Sequence, residues 1–242
     1  MLAIVSDIHG NLTALDAVVA DLARRGIPRV VHGGDLAVGG CQPAEVIDLV
    51  RELGWPGVVG NVDQLLWEPG EHERQRARAP KLGRLLDMMF GQYAPATLEL
   101  IGAERLGWLQ RLADEYCEGD LSVLHASPGD LWRAPMPDDH DDKLVAKYEQ
   151  CDHAVVVYGH IHRPFVRPLA GFTVANSGSV GSPFDGDPRA SYLLIDDGSL
   201  EIVRVDYDVE REVASLVGSG YPDAPRIAEM RRTGRFVPVA GH

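Results

Sequence analysis

The sequence is poor in cysteine and in long hydrophobic runs. Its 242 residues include three cysteines (Cys41, Cys117 and Cys151), which are odd in number and unclustered. A disulfide framework is therefore not expected, and the thiols fit a reducing cytoplasm. No apolar run approaches the ~18 residues that a membrane helix needs. The apolar start stops at Asp7 and lacks a basic leader, so we expect no signal peptide and a cytoplasmic protein without a membrane partner.

Basic charge is also scarce. The chain has 23 Lys and Arg against 36 Asp and Glu side chains, a formal net charge of −13. Binding to long nucleic acids or to anionic membranes needs a basic face, so both partners are disfavoured. A small anionic substrate stays open, because a bound metal ion can reverse the local sign of charge. The 45% hydrophobic content excludes a wholly disordered chain.

Apolar periodicity predicts an α/β protein. Strands are expected at 2–5, 30–31 and 58–59, alternating with a helix that Asn11 caps and Gly26 ends and a helix at 43–53. Such alternation predicts a largely parallel sheet. Strands at 121–124 and 154–158 flank a helix at 141–150. Strands at 165–169, 172–175, 192–195 and 200–205 read as antiparallel hairpins.

We predict one domain over residues 1–242, with a helical tail at 208–242 that contains helices at 209–217 and 224–232. The segment 64–119 is mostly helical and carries no ligand candidates. It either packs its helices on the sheet or forms a cap or dimer surface that sets substrate size. Homo-oligomer formation stays open.

Metal-binding side chains follow the predicted strands. In chain order they are Asp7 and His9, Asp35, Asn61, His125, and His160 with His162. Ligands bind beyond the carboxyl ends of strands in open α/β sheets, so these residues are expected to meet. Imidazole and carboxylate oxygen without thiolate favour Mn, Fe, Zn or a similar divalent ion. Seven residues suffice for two four-ligand shells if one carboxylate is shared.

The same residues lie in five blocks that occur in order: Asp7-Ile8-His9, Gly34-Asp35, Gly60-Asn61-Val62-Asp63, Leu124-His125-Ala126-Ser127-Pro128 and Gly159-His160-Ile161-His162. Residues 176–181 extend the pattern. The set resembles the signature blocks of the calcineurin-like metallophosphoesterases, closest to their small bacterial and archaeal phosphodiesterase-like branch. The resemblance implies a four-layer α/β/β/α sandwich with two sheets flanked by helices, and hydrolysis of small phosphate esters, above all phosphodiesters.

The resemblance also implies a role for each residue. One divalent transition-metal ion would take Asp7, His9 and His162, and a second would take Asn61, His125 and His160. Asp35 would bridge them, with Asp35, Asn61 and His125 as the catalytic residues. A hydroxide shared by the ions would attack phosphorus in line. Mn is the expected metal, with Fe, Zn, Ni and Co as alternatives.

Three positions beside the ligands need separate interpretation. Many relatives carry a histidine after the asparagine, where it can protonate the leaving group, but this chain has Val62. Asp63 either orients substrate or a neighbouring group, or caps the following helix. Arg163 is expected either to contact a phosphate or to form a structural ion pair. The alternative functions are a phosphomonoesterase acting on a nucleotide, dinucleotide or phosphoprotein, and a non-catalytic scaffold of the same fold.

Overall fold

Two mixed β-sheets form the centre of the structure, a computed structural model that describes residues 1–239. In that part of the chain, one sheet has the order β2 (Val30–His32), β1 (Leu2–Val5), β8 (Ala190–Asp196), β9 (Ser199–Val205). The other has the order β3 (Glu115–Glu118), β4 (Leu121–Leu124), β5 (Val155–Tyr158), β7 (Thr173–Asn176), β6 (Phe165–Pro168). β1 pairs in parallel with β2, as β5 does with β4 and β7, and the other pairs are antiparallel.

Helices cover the outer faces of both sheets. They are α1 (Leu12–Arg25), α2 (Pro43–Glu52), α3 (Asn61–Gln64), α4 (Glu71–Arg78), α5 (Gly83–Met88), α6 (Ala94–Leu109), α7 (Asp141–Tyr148), α8 (Val209–Ser219) and α9 (Ala224–Thr233). A π-helical turn, Met89–Tyr93, joins α5 to α6, and short 3₁₀ turns occupy Pro80–Leu82 and Glu149–Cys151. None of the helices within residues 1–239 is long and apolar enough to span a membrane.

Strand alternation divides the core into layers, because successive side chains point to opposite faces of a sheet. Ile4 faces the second sheet and packs in one cluster with Val123 and Val157. Its neighbours Ala3 and Val5 point the other way, into the cluster that includes α1, α2, α8 and α9. The outer face of the second sheet packs against α7. The result is the predicted four-layer α/β/β/α arrangement.

Local sequence signals account for α1. The Asn11 side chain accepts a hydrogen bond from the backbone N–H of Ala14 (2.9 Å), which satisfies a free donor of the first turn. Gly26 ends the helix with φ of 65°, a left-handed conformation that glycine adopts without strain. The predicted helices at 43–53, 141–150, 209–217 and 224–232 also form, with ends that differ by a few residues.

Two predictions of strand structure were wrong. Residues 58–59 do not form a third strand, since the segment makes single bridges, from Val58 to Ala113 and from Gly57 to His32, before the chain turns at Gly60. Conversely, β3 lies inside the segment expected to be mostly helical. Its glutamates are exposed at the sheet edge, so it has no apolar run to reveal it, and such charges are common on edge strands.

The helical segment 64–119 has two different surroundings. Ile101 and Leu109 of α6 belong to the core cluster that includes α2, as expected for helices packed on the sheet. Leu82, Leu86 and Met89 instead line a cavity that opens on the predicted ligands. The packing of α6 agrees with helices packed on the sheet, and the role of the segment as a cap or dimer surface stays a prediction.

Candidate metal centre

All seven predicted ligands meet at one edge, where strands of both sheets end. Asp7 and His9 follow β1, Asp35 follows β2, His125 follows β4, and His160 and His162 follow β5. Asn61 begins α3. Six of the seven side chains are buried and His160 is partly exposed. The convergence is the one expected from the carboxyl ends of neighbouring parallel strands.

The first group of ligand atoms comes from Asp7, His9, Asp35 and His162. One ligand atom from each residue lies within 4.8 Å of the others, which is compatible with a single ion between them. The Nε2 atom of His162 is 3.1 Å from Oδ1 of Asp7. The backbone N–H of His160 donates to Oδ2 of Asp7 (3.0 Å) and holds that carboxylate in place.

The second group surrounds the amide of Asn61. Its Oδ1 atom is 2.8 Å from Nε2 of His125 and 2.9 Å from Nδ1 of His160. Asp35 lies between the two groups, because its Oδ2 atom is 3.4 Å from Nε2 of His125 and 3.8 Å from Nε2 of His9. Asp35 is thus the one carboxylate within reach of both groups among residues 1–239.

The histidine tautomers leave lone pairs that need a cation. Nδ1 of His9 faces the carbonyl oxygen of Val38 (2.7 Å), and Nδ1 of His162 faces that of Ser182. A carbonyl only accepts, so both Nδ1 atoms carry the proton and both Nε2 atoms present lone pairs. Those two Nε2 atoms are 3.1 Å apart. Two facing acceptors repel unless a cation lies between them, so the residues fit a bound metal ion.

His125 also has its Nδ1 atom against a backbone carbonyl oxygen, so this atom carries the proton. Its Nδ1 atom donates to the carbonyl oxygen of Gly33 (2.8 Å), so Nε2 is free to bind a metal ion. Ligating histidines commonly donate their second ring N–H to a backbone carbonyl, which fixes the ring orientation. Three of the four candidate histidines, His9, His125 and His162, have this support.

Burial and neighbouring charges shift the pKa values of side chains in the site. Burial together with the charges of Asp7 and Asp63 raises the pKa of Asp35 well above its usual value. Burial, aided by His125, lowers the pKa of His160 to about 3, so this ring is neutral at pH 7. Neutral imidazole is the form that binds metal.

The backbone at the ligands is unusual. Eight non-glycine residues within 1–239 have positive φ, and five of them are ligand candidates: Asp7 (56°), His9 (52°), Asp35 (54°), His160 (64°) and His162 (56°). A left-handed conformation costs a non-glycine residue about 1–3 kcal/mol and persists where the surroundings enforce it, often at functional sites. This strain independently marks five of the seven ligand candidates that the sequence blocks contain.

Glycines allow the backbone to approach the carboxylates. A Cβ atom on Gly60 would overlap Oδ1 of Asp35, and one on Gly159 would overlap Oδ2 of Asp7. Both glycines belong to the sequence blocks, and their lack of a side chain is what this close packing requires.

The structure favours a positioning role for Asp63. Its carboxylate is buried and accepts hydrogen bonds from the backbone N–H groups of Leu36 (3.0 Å), Ala37 (3.1 Å) and Gly60 (3.3 Å). These bonds tie the loop after Asp35 to the start of α3. Asp63 thus orients the backbone beside Asp35 and also caps α3 through its bond to the Gly60 N–H, and it does not line the cavity.

Arg163 is not brought to the ligand cluster. It is exposed, its Nε atom donates to the carbonyl oxygen of Phe184 (3.2 Å), and it lines a neighbouring depression together with Arg235. Among residues 1–239 it makes no ion pair, and its contact with a phosphate stays a prediction. The ring of Phe184 stacks on the His162 ring (4.3 Å between ring centroids).

Sequence reasoning missed Arg231, a fully buried side chain of α9. Its guanidinium donates to the carbonyl oxygens of His9 (3.2 Å), Gly39 (2.9 Å) and Gly181. It therefore supports three of the loops that surround the ligands. No sequence block contains it, and its only signal is a basic residue in an otherwise amphipathic helix.

A cavity of about 410 Å³ opens on the ligands His9, Asp35, Asn61, His160 and His162. Its walls come from the helical segment, from the loop containing Trp132 and from the tail. Val62 also lines it and is 7% exposed. A reacting group bound at the ligands would thus be contiguous with this open cavity.

Comparisons with known proteins identify the family of the chain and agree with a metal-binding site. The family model described as "Calcineurin-like phosphoesterase superfamily domain" matches residues 1–198. An uncharacterized protein of Methanocaldococcus jannaschii is 32% identical over 92% of this chain and 94% of its own length. A metallophosphoesterase from Sphaerobacter thermophilus has a similar structure, with a TM-score of 0.78 and 25% identity over 96% of this chain and 99% of that one.

A hypothetical protein of Pyrococcus horikoshii shares the fold, with a TM-score of 0.82 and 18% identity over 98% of this chain and all of that one. The family match covers most of the chain and includes every residue of the ligand cluster. The chain therefore belongs to the calcineurin-like phosphoesterase superfamily, a family of hydrolases that act on phosphate esters with divalent metal ions.

Proposed function

We propose that the protein is a phosphodiesterase that uses two divalent ions, with Mn²⁺ the preferred metal. Asp7, His9 and His162 would hold one ion, Asn61, His125 and His160 would hold the other, and Asp35 would bridge them. The observation that carries the proposal is the position of Asp35 within reach of both groups of ligand atoms. Mixed nitrogen and oxygen ligands without thiolate support the choice of metal.

The bound ions would supply a nucleophilic hydroxide at neutral pH and offset negative charge on the phosphoryl oxygens. The chain itself contributes orientation. Hydrogen bonds to Val38, Gly33 and Ser182 hold three imidazole rings, and the backbone N–H of Val62 donates to Oδ1 of Asp35 (3.0 Å). Fixed ligands keep the reacting atoms aligned without reorganisation during the reaction.

Charge around the cavity supports a diester over a monoester. A monoester carries up to two negative charges and a diester one, so a monoester site needs more cationic groups. Among the described residues that line the cavity, Arg133 and Arg226 are the only arginines or lysines. Arg226 is already bonded to Asp223 and Tyr93.

We also propose that the chain acts as one domain, because Arg231 of the tail supports the ligand loops.

Removal of metal should abolish hydrolysis of bis(p-nitrophenyl) phosphate, and reconstitution should restore it with about two ions per chain. Elemental analysis is best made on the Cys117→Ser variant, because Glu115, Cys117 and His153 form a second, exposed group of potential ligands. Full activity in a verified metal-free sample would contradict the proposal. A purified protein that binds no metal would favour the scaffold alternative, and faster cleavage of p-nitrophenyl phosphate than of the diester would favour a phosphomonoesterase.

The lack of an acid at Val62 should make the rate depend steeply on the leaving group. Tyr93 also lines the cavity, but burial raises the pKa of its hydroxyl well above the usual value, and that hydroxyl donates to Asp223. His32 is no substitute, since it lies outside the cavity lining and burial lowers its pKa to about 4. General acid assistance is worth ~10²–10⁴-fold, mostly for poor leaving groups. Aryl esters should therefore react much faster than alkyl esters.

Val62→His would place an imidazole beside Asn61 and should raise the alkyl rate relative to the aryl rate. The measurement is the slope of log(kcat/KM) against leaving-group pKa, which should be steeper in the wild type. Val62→Asn is the matched control, because it is polar but donates no proton at neutral pH. A shallow wild-type slope, or equal slopes in all three proteins with unchanged metal content, would refute the role assigned to this position.

A further inference from the structure

The cavity above the ligands has a strongly apolar wall. Leu85, Leu86 and Met89 contribute from the helical segment, and Ile227 and Met230 contribute from α9. Val38, Val62, Trp132 and Phe184 complete the lining close to the ligands. Its volume of about 410 Å³ is typical of a small-molecule site, in which apolar walls supply affinity and a few polar groups supply orientation.

Most polar side chains on this wall have partners within the protein; the indole N–H of Trp132 has none among residues 1–239, but it is buried and not exposed in the cavity. The hydroxyl of Tyr93 donates to Asp223 (2.7 Å), and Arg226 donates to that hydroxyl (2.6 Å) and to the carbonyl oxygen of Val237 (2.8 Å). The amide nitrogen of Gln75 donates to Glu71 (2.8 Å). A ligand with hydrogen-bonding edges, such as a nucleobase, would leave those edges unpaired here, which costs affinity.

The mouth of the cavity exposes large apolar side chains. Leu82 is 48% exposed and Phe236 is 40% exposed, and both line the opening. Arg133 also lines it, and its guanidinium makes a hydrogen bond to the carbonyl oxygen of Arg78 (2.9 Å). An apolar ligand would remove Leu82 and Phe236 from water while its phosphoryl group reached the ligand cluster.

We propose that the substrate is a phosphate ester of an apolar alcohol, whose hydrocarbon group of several carbons fills this cavity. The helical segment 64–119 then acts as a cap that selects the ester group. This inference rests on the proposed phosphodiesterase function, because the cavity is assigned to substrate by its opening on the ligands.

The direct test is a series of p-nitrophenyl alkyl phosphodiesters with methyl, butyl, hexyl and octyl groups, assayed with the Mn²⁺-loaded protein. The leaving group is constant, so differences report binding of the alkyl group. We expect kcat/KM to rise by about threefold for each methylene until the cavity is filled. The p-nitrophenyl ester of thymidine monophosphate should react more slowly than the octyl ester. Values that are flat or fall with chain length, or a preference for the nucleotide ester, would overturn the proposal.

Variants at the mouth of the cavity test whether its side chains contact the alkyl group of the ester. Leu82→Ser and Phe236→Ser should each lower the octyl-to-methyl ratio of kcat/KM severalfold. Leu100→Ser is the matched control, because Leu100 is 47% exposed but lies outside the cavity lining, and it should keep the wild-type ratio. An unchanged ratio in both mouth variants would contradict the assignment of the cavity to the alkyl group.

A binding measurement separates this inference from the proposed function. Calorimetric titration with octylphosphonate should show tighter binding and a more negative heat-capacity change than titration with methylphosphonate, the mark of apolar burial. If no diester is hydrolysed but octylphosphonate binds in this way, the phosphodiesterase proposal fails and the apolar site stands.

Esters assayed as monomers should saturate the enzyme. Turnover only of esters embedded in phosphatidylcholine vesicles would instead indicate recognition of a membrane surface and overturn the proposal.

Discussion

Asp35→Ala is expected to lose metal and activity together, with kcat/KM falling at least ~10³-fold. The reason is geometric, since Asp35 is the carboxylate within reach of both groups of ligand atoms. Loss of a partner that merely orients a ligand typically costs 10–100-fold, so removal of a shared ligand should cost more. Asn61→Ala should be milder, because Asn61 contacts only the second group. Metal content by elemental analysis and hydrolysis of bis(p-nitrophenyl) phosphate measure both effects.

Asp35→Asn is the control that separates loss of the negative charge from loss of the side chain. It keeps the size of the side chain and an oxygen that can accept from the backbone N–H of Val62, but it removes the negative charge. Circular dichroism would verify that each variant is folded. The bridging role would be disproved by a folded Asp35→Ala variant that binds two ions with wild-type affinity while hydrolysis collapses.

Arg231→Met is expected to have the largest effect on stability, with the free energy of unfolding reduced by about 3–5 kcal/mol. The substitution leaves three buried carbonyl oxygens, of His9, Gly39 and Gly181, without their donor. It also removes the cation beside Glu212, whose pKa is raised by burial and lowered in turn by Arg231. Chemical denaturation of the metal-free protein measures the loss of stability, and a 10–100-fold fall in metal affinity should accompany it.

Arg232→Met is the matched control for this prediction. Arg232 is the next residue of α9, but its side chain is 49% exposed and pairs with Glu210 on the surface. Its replacement should change neither the midpoint of unfolding nor metal affinity appreciably. Adding Glu212→Gln to Arg231→Met should recover part of the lost stability, because it removes the uncompensated buried charge. Equal behaviour of Arg231→Met and Arg232→Met would show that the buried guanidinium does not support the site.

Much of the fold could be predicted because its signals are local. A side-chain cap and a left-handed glycine mark the ends of α1, and the helix predicted at 43–53 corresponds to α2, Pro43–Glu52. The ligand candidates were predictable for a different reason. Six of the seven follow buried strands, and the carboxyl ends of such strands meet at one edge, so no knowledge of distant contacts was needed for those six.

The remaining features depend on contacts between distant parts of the chain. The apolar cavity joins Leu85 to Met230, which are far apart in sequence and belong to no shared pattern. Arg163 follows a ligand directly, yet its side chain bonds to the carbonyl oxygen of Phe184 and lines another depression. The left-handed conformations at Asp7 and Asp35 also could not be predicted from the sequence, because aspartate does not require a positive φ.

The buried guanidinium of α9 also bears on the order of events during protein synthesis. Every ligand candidate precedes residue 163, so all of them leave the ribosome well before Arg231, which holds the carbonyl oxygens of His9, Gly39 and Gly181. A domain generally folds as a unit during synthesis. The loops at Asp7 and Asp35 therefore lack the support of Arg231 until α9 packs against them. We expect a nascent chain to acquire metal only after α9 has been translated.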